Sequence, residues 1–267
     1  MVCIVEIISI GNELLIGKTL NTSSQWLAKY ITTSGGKVKR IHTVADDLDE
    51  FSSALHDSLS RKPTLIITTG GLGPTFDDKT LEAIAAALNI PLEINEEALH
   101  MIQVKYHQYE ISTGKKIELT PSRLKMAKLP IGAKPIENPI GTAPGILLKY
   151  NSSRIVALPG VPNEMEAIFE NNIIPIIKKA AGNIFINEKS LIVTEIIESE
   201  LAPLLDKVMH DNPYVYIKSH PKAAEPIPLL ELHITTASKS QKDAETYVET
   251  AAEQLSRKIF ESGGKVN

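Results

Sequence analysis

The apolar positions of this chain fall into short runs that switch between two rhythms. Residues 2–10 are an almost unbroken Ile/Val run, the pattern of a strand buried on both faces. Gly11 ends it. Over residues 22–34 the period changes: Trp26, Leu27, Tyr30 and Ile31 recur at helical spacing, closed by Gly35-Gly36. Residues 38–44 predict a second strand. Residues 48–60 predict a second helix, with Phe51, Leu55 and Leu59 on one face, and residues 65–69 a third strand. An Ala-rich helix over 79–88 follows, with Asp77 and Asp78 where it begins, then helices over 96–109 and 120–127. In the last of these Thr120 suits the N-cap and Pro121 the first helical position. Strands at 146–148 and 154–158 join through a polar turn into a hairpin, and residues 162–179 read as a helix.

Strand and helix alternate every ~20–30 residues, which predicts right-handed crossovers and an open, mostly parallel sheet covered on both sides. In such sheets ligands bind beyond the carboxyl ends of the strands. The loops after Ile10, Val44 and Thr69 share that edge, so Glu13, Asp46 and the stretch from Gly70 to Asp78 are expected near one another. The composition shifts around Ala181-Gly182-Asn183. Two domains are therefore expected, over 1–178 and 184–264. The second reads as a small α+β module: a strand at 189–194, a helix at 199–210 capped by Ser199, strands at 214–219 and 229–235, and a helix at 241–260.

Charge narrows the field of partners. The 267 residues carry a net charge of −4, and a chain without a basic surplus lacks the phosphate attraction on which nucleic-acid binding rests. The single cysteine, Cys3, lies inside the first apolar run, where it serves as a small hydrophobe and suits a reducing, cytoplasmic setting. No signal peptide and no run of about 18 apolar residues is present, so no membrane association is expected.

The chemistry concentrates in loops. Gly70, Gly71 and Gly73 follow a strand and let backbone N–H groups approach an anion. Thr75 adds a hydroxyl. Asp77 and Asp78 would repel a bound phosphate unless a divalent ion bridges them, which points to a hard metal such as Mg²⁺. Two better-known phosphate motifs fail here. A G-x-G-x-x-G reading places Phe76 or Asp78 at its third glycine. Five residues, not four, separate Gly11 from Gly17-Lys18-Thr19. The histidines are scattered, with no zinc-ligand spacing, and no Gly-x-Ser-x-Gly elbow occurs. Glycine-bearing turns at 138–145 and 158–162, the second followed by Glu164, suit a pocket wall.

Gly11-Asn12-Glu13-Leu14-Leu15 with Asn21-Thr22, the Thr69–Asp78 stretch, Gly141-Thr142-Ala143-Pro144-Gly145, and Leu158-Pro159-Gly160-Val161-Pro162 with Glu164-Met165 resemble the motifs of the CinA family. They occur in order over roughly residues 4–175. The wider relatives are the molybdopterin-binding proteins MoaB and Mog and the matching domain of gephyrin. The resemblance implies a MoaB/Mog-like three-layer α/β/α sandwich with a mostly parallel sheet. The tail resembles the KH-like domain that follows in CinA proteins. It lacks the Gly-x-x-Gly loop by which KH domains grip RNA, so a structural or dimerising role is expected and the favoured oligomer is a homodimer. The nicotinamide-nucleotide deamidase domain of full-length CinA proteins has no counterpart in these residues, and deamidase activity is not expected.

By the same resemblance the first domain would be a metal-dependent pyrophosphatase for compounds of the ADP-ribose or FAD type. Asp46, Asp77 and Asp78 would organise metal and water, with Asp46 and Asp78 as ligands to Mg²⁺, Mn²⁺, Co²⁺ or Ni²⁺. Lys125 would contact the diphosphate. Gly71, Gly73 and Thr75 would hold phosphate. Gly11, Asn12, Glu13, Asn21, Thr69, Gly70, Thr142, Gly145, Pro159, Gly160 and Glu164 would complete the binding set. CinA proteins often read Asn-x-Lys-Gln-Ala where this chain reads Arg123-Leu124-Lys125-Met126-Ala127, so two polar side chains are replaced beside the ligand. Two alternatives use the same pocket. One binds or adenylylates molybdopterin in molybdenum-cofactor synthesis; the other is a non-catalytic nucleotide-binding protein.

Overall fold

The first apolar run forms β1 (Cys3–Ile10), with every residue but Ile4 buried. The computed structural model describes residues 2–182, 184–222 and 229–267; Asn183, part of the expected boundary, lies outside them. After β1 come α1 (Asn12–Leu15), α2 (Thr22–Thr33), β2 (Gly36–Val44), α3 (Leu48–Ser60), β3 (Leu65–Thr69), α4 (Thr80–Leu88) and β4 (Leu92–Ile94). Next are α5 (Glu96–Thr113), α6 (Pro121–Leu124) with a 3₁₀ turn at Lys125–Ala127, β5 (Lys128–Pro130) and β6 (Lys134–Ile136). The hairpin β7 (Gly145–Tyr150) and β8 (Ser153–Leu158) leads into α7 (Pro162–Ile168) and α8 (Ile174–Ala181), joined by a π turn at Phe169–Ile173.

The main sheet runs β2-β1-β3-β8-β7-β6. β2, β1, β3 and β8 are parallel, and β7 and β6 complete one end antiparallel. Alternate side chains of each strand enter different layers. Ile8, Ile66 and Ile155 pack with Phe51, Leu55, Ile84 and Ile102 of α3, α4 and α5. Val5, Ile7, Ile67 and Val156 pack with Leu27 and Ile31 of α2 and with Met165, Phe169 and Ile177 on the last helical stretch. This is the three-layer α/β/α sandwich that the strand–helix rhythm predicts.

One buried charge interrupts the first layer. Glu6 is 2% exposed and receives two bonds from Arg61, just past α3: Nε to Oε1 at 2.8 Å and Nη2 to Oε2 at 2.6 Å. Burial pushes the Glu6 carboxyl up. The bonds from Arg61 and Ser58 and the nearby charges of Arg61 and His42 outweigh it, so the group ends below the usual carboxylate range.

Three local expectations need correction. α4 begins at Thr80, with Lys79 in the cap position, so Asp77 and Asp78 stand in the loop ahead of the helix. Thr80 takes the entry role itself, donating from Oγ1 to Gly70 O at 2.8 Å and from N to Gly71 O at 3.1 Å. Thr120 occupies the N-cap of α6 without a side-chain capping bond. Ser199 lies inside its helix, which is entered from Ile197. The elements missed altogether in the first 182 residues, α1, β4, β5 and β6, have three or four residues each, too few to show a period.

The chain forms two compact units, Met1–Thr32 with Gly36–Ala181 and Gly182–Asn267 with Thr33–Gly35. The second contains β9 (Phe185–Thr194), α9 (Glu198–Asp211), β10 (Val215–Pro221), β11 (Leu229–Ser238), α10 (Gln241–Glu261) and β12 (Lys265–Val266). Its sheet, ordered β10-β11-β9-β12, is antiparallel. Leu230, Leu232 and Ile234 on alternate positions of β11 pack with Leu201, Leu205, Val248 and Leu255 of α9 and α10. The α+β expectation holds for this unit. Among the described residues no helix is long and apolar enough to cross a membrane.

Candidate functional site

The carboxyl ends of β1, β3 and β8 are buried and in register: Ser9 pairs with Thr69, and Thr69 with Leu158. Beyond them opens a cleft of about 550 Å³. Gly11 and Glu13 line it from the loop after β1, Asp46 from the loop after β2, and Gly70, Gly71, Gly73, Asp77 and Asp78 from the loop after β3. Thr142 precedes β7, while Pro159, Gly160 and Glu164 follow β8. The sequence rule for ligand edges in parallel sheets thus brings these twelve candidates into one place.

The remaining candidates lie outside that lining. The Asn12 backbone N–H donates to Asp46 Oδ2 at 2.8 Å and so orients that carboxylate. Asn21 caps α2, its Oδ1 accepting from Ser24 N at 3.1 Å. Thr69 is buried and its hydroxyl bonds Ser9 Oγ at 3.3 Å. Gly145 opens β7, where an added Cβ would meet Ala157 O at 3.0 Å. Lys125 is absent from the cleft lining. Its ammonium donates to the backbone carbonyls of Thr75 and, at 2.7 Å, of Asp78, which gives it the task of holding the loop. Asp46 and Asp47, indistinguishable in sequence, divide their roles. Asp47 caps α3 through Asp49 N and Glu50 N at 2.9 and 3.0 Å, and Asp46 faces the cleft.

The loop after β3 is held by its own side chains. Asp78 Oδ2 accepts from Thr75 N at 2.9 Å and from Thr75 Oγ1 at 2.7 Å, and the same hydroxyl reaches Asp77 Oδ1. A threonine hydroxyl has one proton, so two carboxylates share a single donor. The Thr75 bond, with help from the backbone and from Lys125 and Lys79, holds the Asp77 carboxyl below its usual range. Gly71 makes the loop possible. Its φ is +68°, and an added Cβ would come within 3.0 Å of Thr80 Oγ1.

Glu164 on the opposite wall is positioned by a residue that sequence reasoning placed only in a turn. Asn138 is 2% exposed. Its Nδ2 donates to Glu164 Oε2 at 2.7 Å and to Ala143 O at 2.9 Å, while its Oδ1 accepts from Ile140 N and Gly141 N at 3.1 and 2.8 Å. Gly141 lets Glu164 lie over the backbone, since an added Cβ would fall within 3.0 Å of that carboxylate. Asn138→Ala is expected to cost about 1–3 kcal/mol in urea unfolding and to weaken any ligand contact made by Glu164. An unchanged midpoint would show the four bonds to be idle. Met126, one of the two departures from the CinA pattern, also lines the cleft; so does Tyr106, which carried no signal in the sequence because a tyrosine within a helix belongs to no motif.

Five carboxylates therefore line the cleft, from Glu13, Asp46, Asp77, Asp78 and Glu164, and no Lys or Arg is among its lining residues. Among the described residues no group of three or more His, Cys, Asp or Glu side chains is placed to hold a metal ion. The donor set fits only an open site for a hard ion, in which one or two carboxylates are supplemented by water and by oxygens of the ligand.

A parallel α/β sandwich with a polar, glycine-floored cleft at its strand ends is a small-molecule-binding domain of the doubly wound class. The family model described as "Probable molybdopterin binding domain" matches residues 6–179. The chain belongs to that family. It is similar to the crystal structure of the protein CinA, with unknown function, from Thermoplasma acidophilum: 42% identity, TM-score 0.60, covering 66% of this chain and 98% of that one. A protein of Pyrobaculum arsenaticum is 46% identical over 250 residues, covering 93% of this chain and 92% of its own length. One from Sulfurisphaera tokodaii is 41% identical over 262 residues, covering 98% and 97%.

Proposed function

We propose that the first unit binds a phosphate-bearing ligand of the molybdopterin or nucleotide type, with a divalent ion bridging phosphate and protein. The carrying observation is the charge of the cleft: five carboxylates and no cationic side chain. A phosphate placed there faces those carboxylates at close range, and a divalent ion, which Asp46 and Asp78 would hold, would offset the repulsion. Both carboxylates are already held through Oδ2, by Asn12 N and by Thr75, so their placement precedes ligand. When bound, such an ion supplies charge neutralisation and polarises phosphoryl oxygens. Gly71 and Gly73 offer backbone close to the ligand, and Glu13 and Glu164 suit the sugar or ring hydroxyls and amino groups.

A second reading, hydrolysis of a diphosphate bond in compounds of the ADP-ribose or FAD type, is favoured by one feature. Asp77 and Asp78 share the Thr75 proton, which leaves carboxylate oxygens able to orient a water molecule. Calorimetry with ADP-ribose and FAD, with Mn²⁺ or with EDTA, tests the binding reading. Asp46→Asn and Asp78→Asn are each expected to weaken Mn²⁺-dependent binding roughly 10–100-fold. Binding that survives EDTA undiminished would remove the bridging ion from the proposal. Release of AMP from either compound by the wild type, lost in Asp78→Asn, would establish the hydrolytic reading.

A further inference from the structure

The cleft is divided in chemistry as well as in origin. Its carboxylates come from the loops after β1, β2 and β3 and from the start of α7. The wall supplied by α5 and the 3₁₀ turn offers instead Tyr106 and Met126, with Leu72 and Ala143 beside them. Tyr106 is the single aromatic side chain among the lining residues described. One face of its ring is covered by Arg123. Arg123 Cζ lies 4.9 Å from the ring centroid, and Arg123 Nη1 donates to Glu118 O at 2.6 Å. Tyr106 also packs against the core cluster that contains Leu72, Met126 and Ala143. Burial pushes the phenol up, against the influence of Arg123, and the ring is neutral at pH 7.

We infer that Tyr106, braced by Arg123, is the platform on which the cleft stacks the fused heteroaromatic ring of its ligand. This rests on the binding reading above and deepens it by assigning the ring end of the ligand. A ring held in place before binding loses little freedom when a second ring settles on it. A cation on one face draws electron density from the aromatic system and favours stacking of an electron-rich heterocycle on the surface that remains. The two ends of the cleft then match the two ends of one molecule: ring at Tyr106, phosphate and ion at Asp46 and Asp78.

Purines and pterins share the chemistry that this platform reads, and the test separates them. Binding of AMP, dihydroneopterin phosphate and ribose 5-phosphate is measured by calorimetry in Mn²⁺, with wild type, Tyr106→Leu and Tyr106→Phe. Leucine keeps the apolar volume and removes the π face. At least one ring ligand is expected to bind wild type about tenfold more tightly than ribose 5-phosphate. Tyr106→Leu should abolish that advantage without changing ribose 5-phosphate binding, and Tyr106→Phe should retain it. Which ligand gains identifies purine or pterin. Equal affinity of ring and ringless ligands for wild type overturns the platform while leaving the binding reading intact. So does a Tyr106→Leu protein that loses affinity for all three alike, which marks a purely structural side chain. Failure of every probe to bind folded wild type overturns the binding reading, and the platform with it.

Discussion

Replacing Arg61 by methionine is expected to destabilise the first unit by about 3–5 kcal/mol at pH 7, the usual cost of stripping the partner from a buried ion pair. Glu6 sits in β1 at 2% exposure, and both of its oxygens are bonded by Arg61. Methionine fills much of the side-chain volume but leaves the carboxylate in the core without a fork of donors. The pH dependence gives the mechanism away. In the wild type the Glu6 carboxyl lies below its ordinary value, so its contribution is complete above the unfolded value of about 4.3 and is lost as pH falls through the folded one. In Arg61→Met burial acts with much less opposition and raises the carboxyl. That variant loses stability as pH rises through the raised value. The gap between the two proteins must therefore narrow in acid. Urea unfolding followed by Trp26, the single tryptophan and a residue of the first unit, reports on that unit alone. A gap independent of pH between 4 and 7 would show that lost packing, not the charge, is responsible.

Gly71→Ala is expected to cost roughly 2–4 kcal/mol and to abolish measurable ligand binding. Two separable terms add. The backbone at +68° disfavours any side chain, and the new Cβ would lie within 3.0 Å of the Thr80 hydroxyl. That hydroxyl ties α4 to Gly70 O at 2.8 Å, so the clash pushes on the same bond that anchors the loop. A double-mutant cycle divides the terms. Thr80→Ala alone should cost about 1 kcal/mol for the lost bond. In the Gly71→Ala background it should cost less or restore stability, because it removes the collision, while the backbone penalty persists. Strict additivity of the two changes would sink the steric account.

Strand runs, helical periods and the alternation between them were legible in the chain because each is a local pattern. The buried run of β1 and the limits of α3 and β3 follow from burial alone, and a general rule about parallel sheets then placed Glu13, Asp46 and the Gly70–Asp78 loop on one edge. What the pattern did not carry was the direction of individual side chains. Asp46 and Asp47 are neighbours of one chemistry, yet one faces the cleft and the other caps a helix. Lys125 and Thr75 sit in motif positions, and the sequence did not show that both bond within the loop after β3. Asn138, hidden in a proline–glycine turn, reaches 26 residues along the chain to fix Glu164.

The sequence by itself determined the class of fold, the ligand edge and the acidic, glycine-rich character of that edge, since these depend on residue type and spacing. Only the tertiary structure decided that no cationic side chain lines the cleft, that Arg61 pairs with Glu6, and that Tyr106 from α5 lines the same cleft as the loops after β1 and β3. The physical reason is range. Backbone propensity and hydrophobic period act over a few residues, whereas charge balance and ring placement in a cleft are sums over segments that only packing of the sheet and its helices brings within contact.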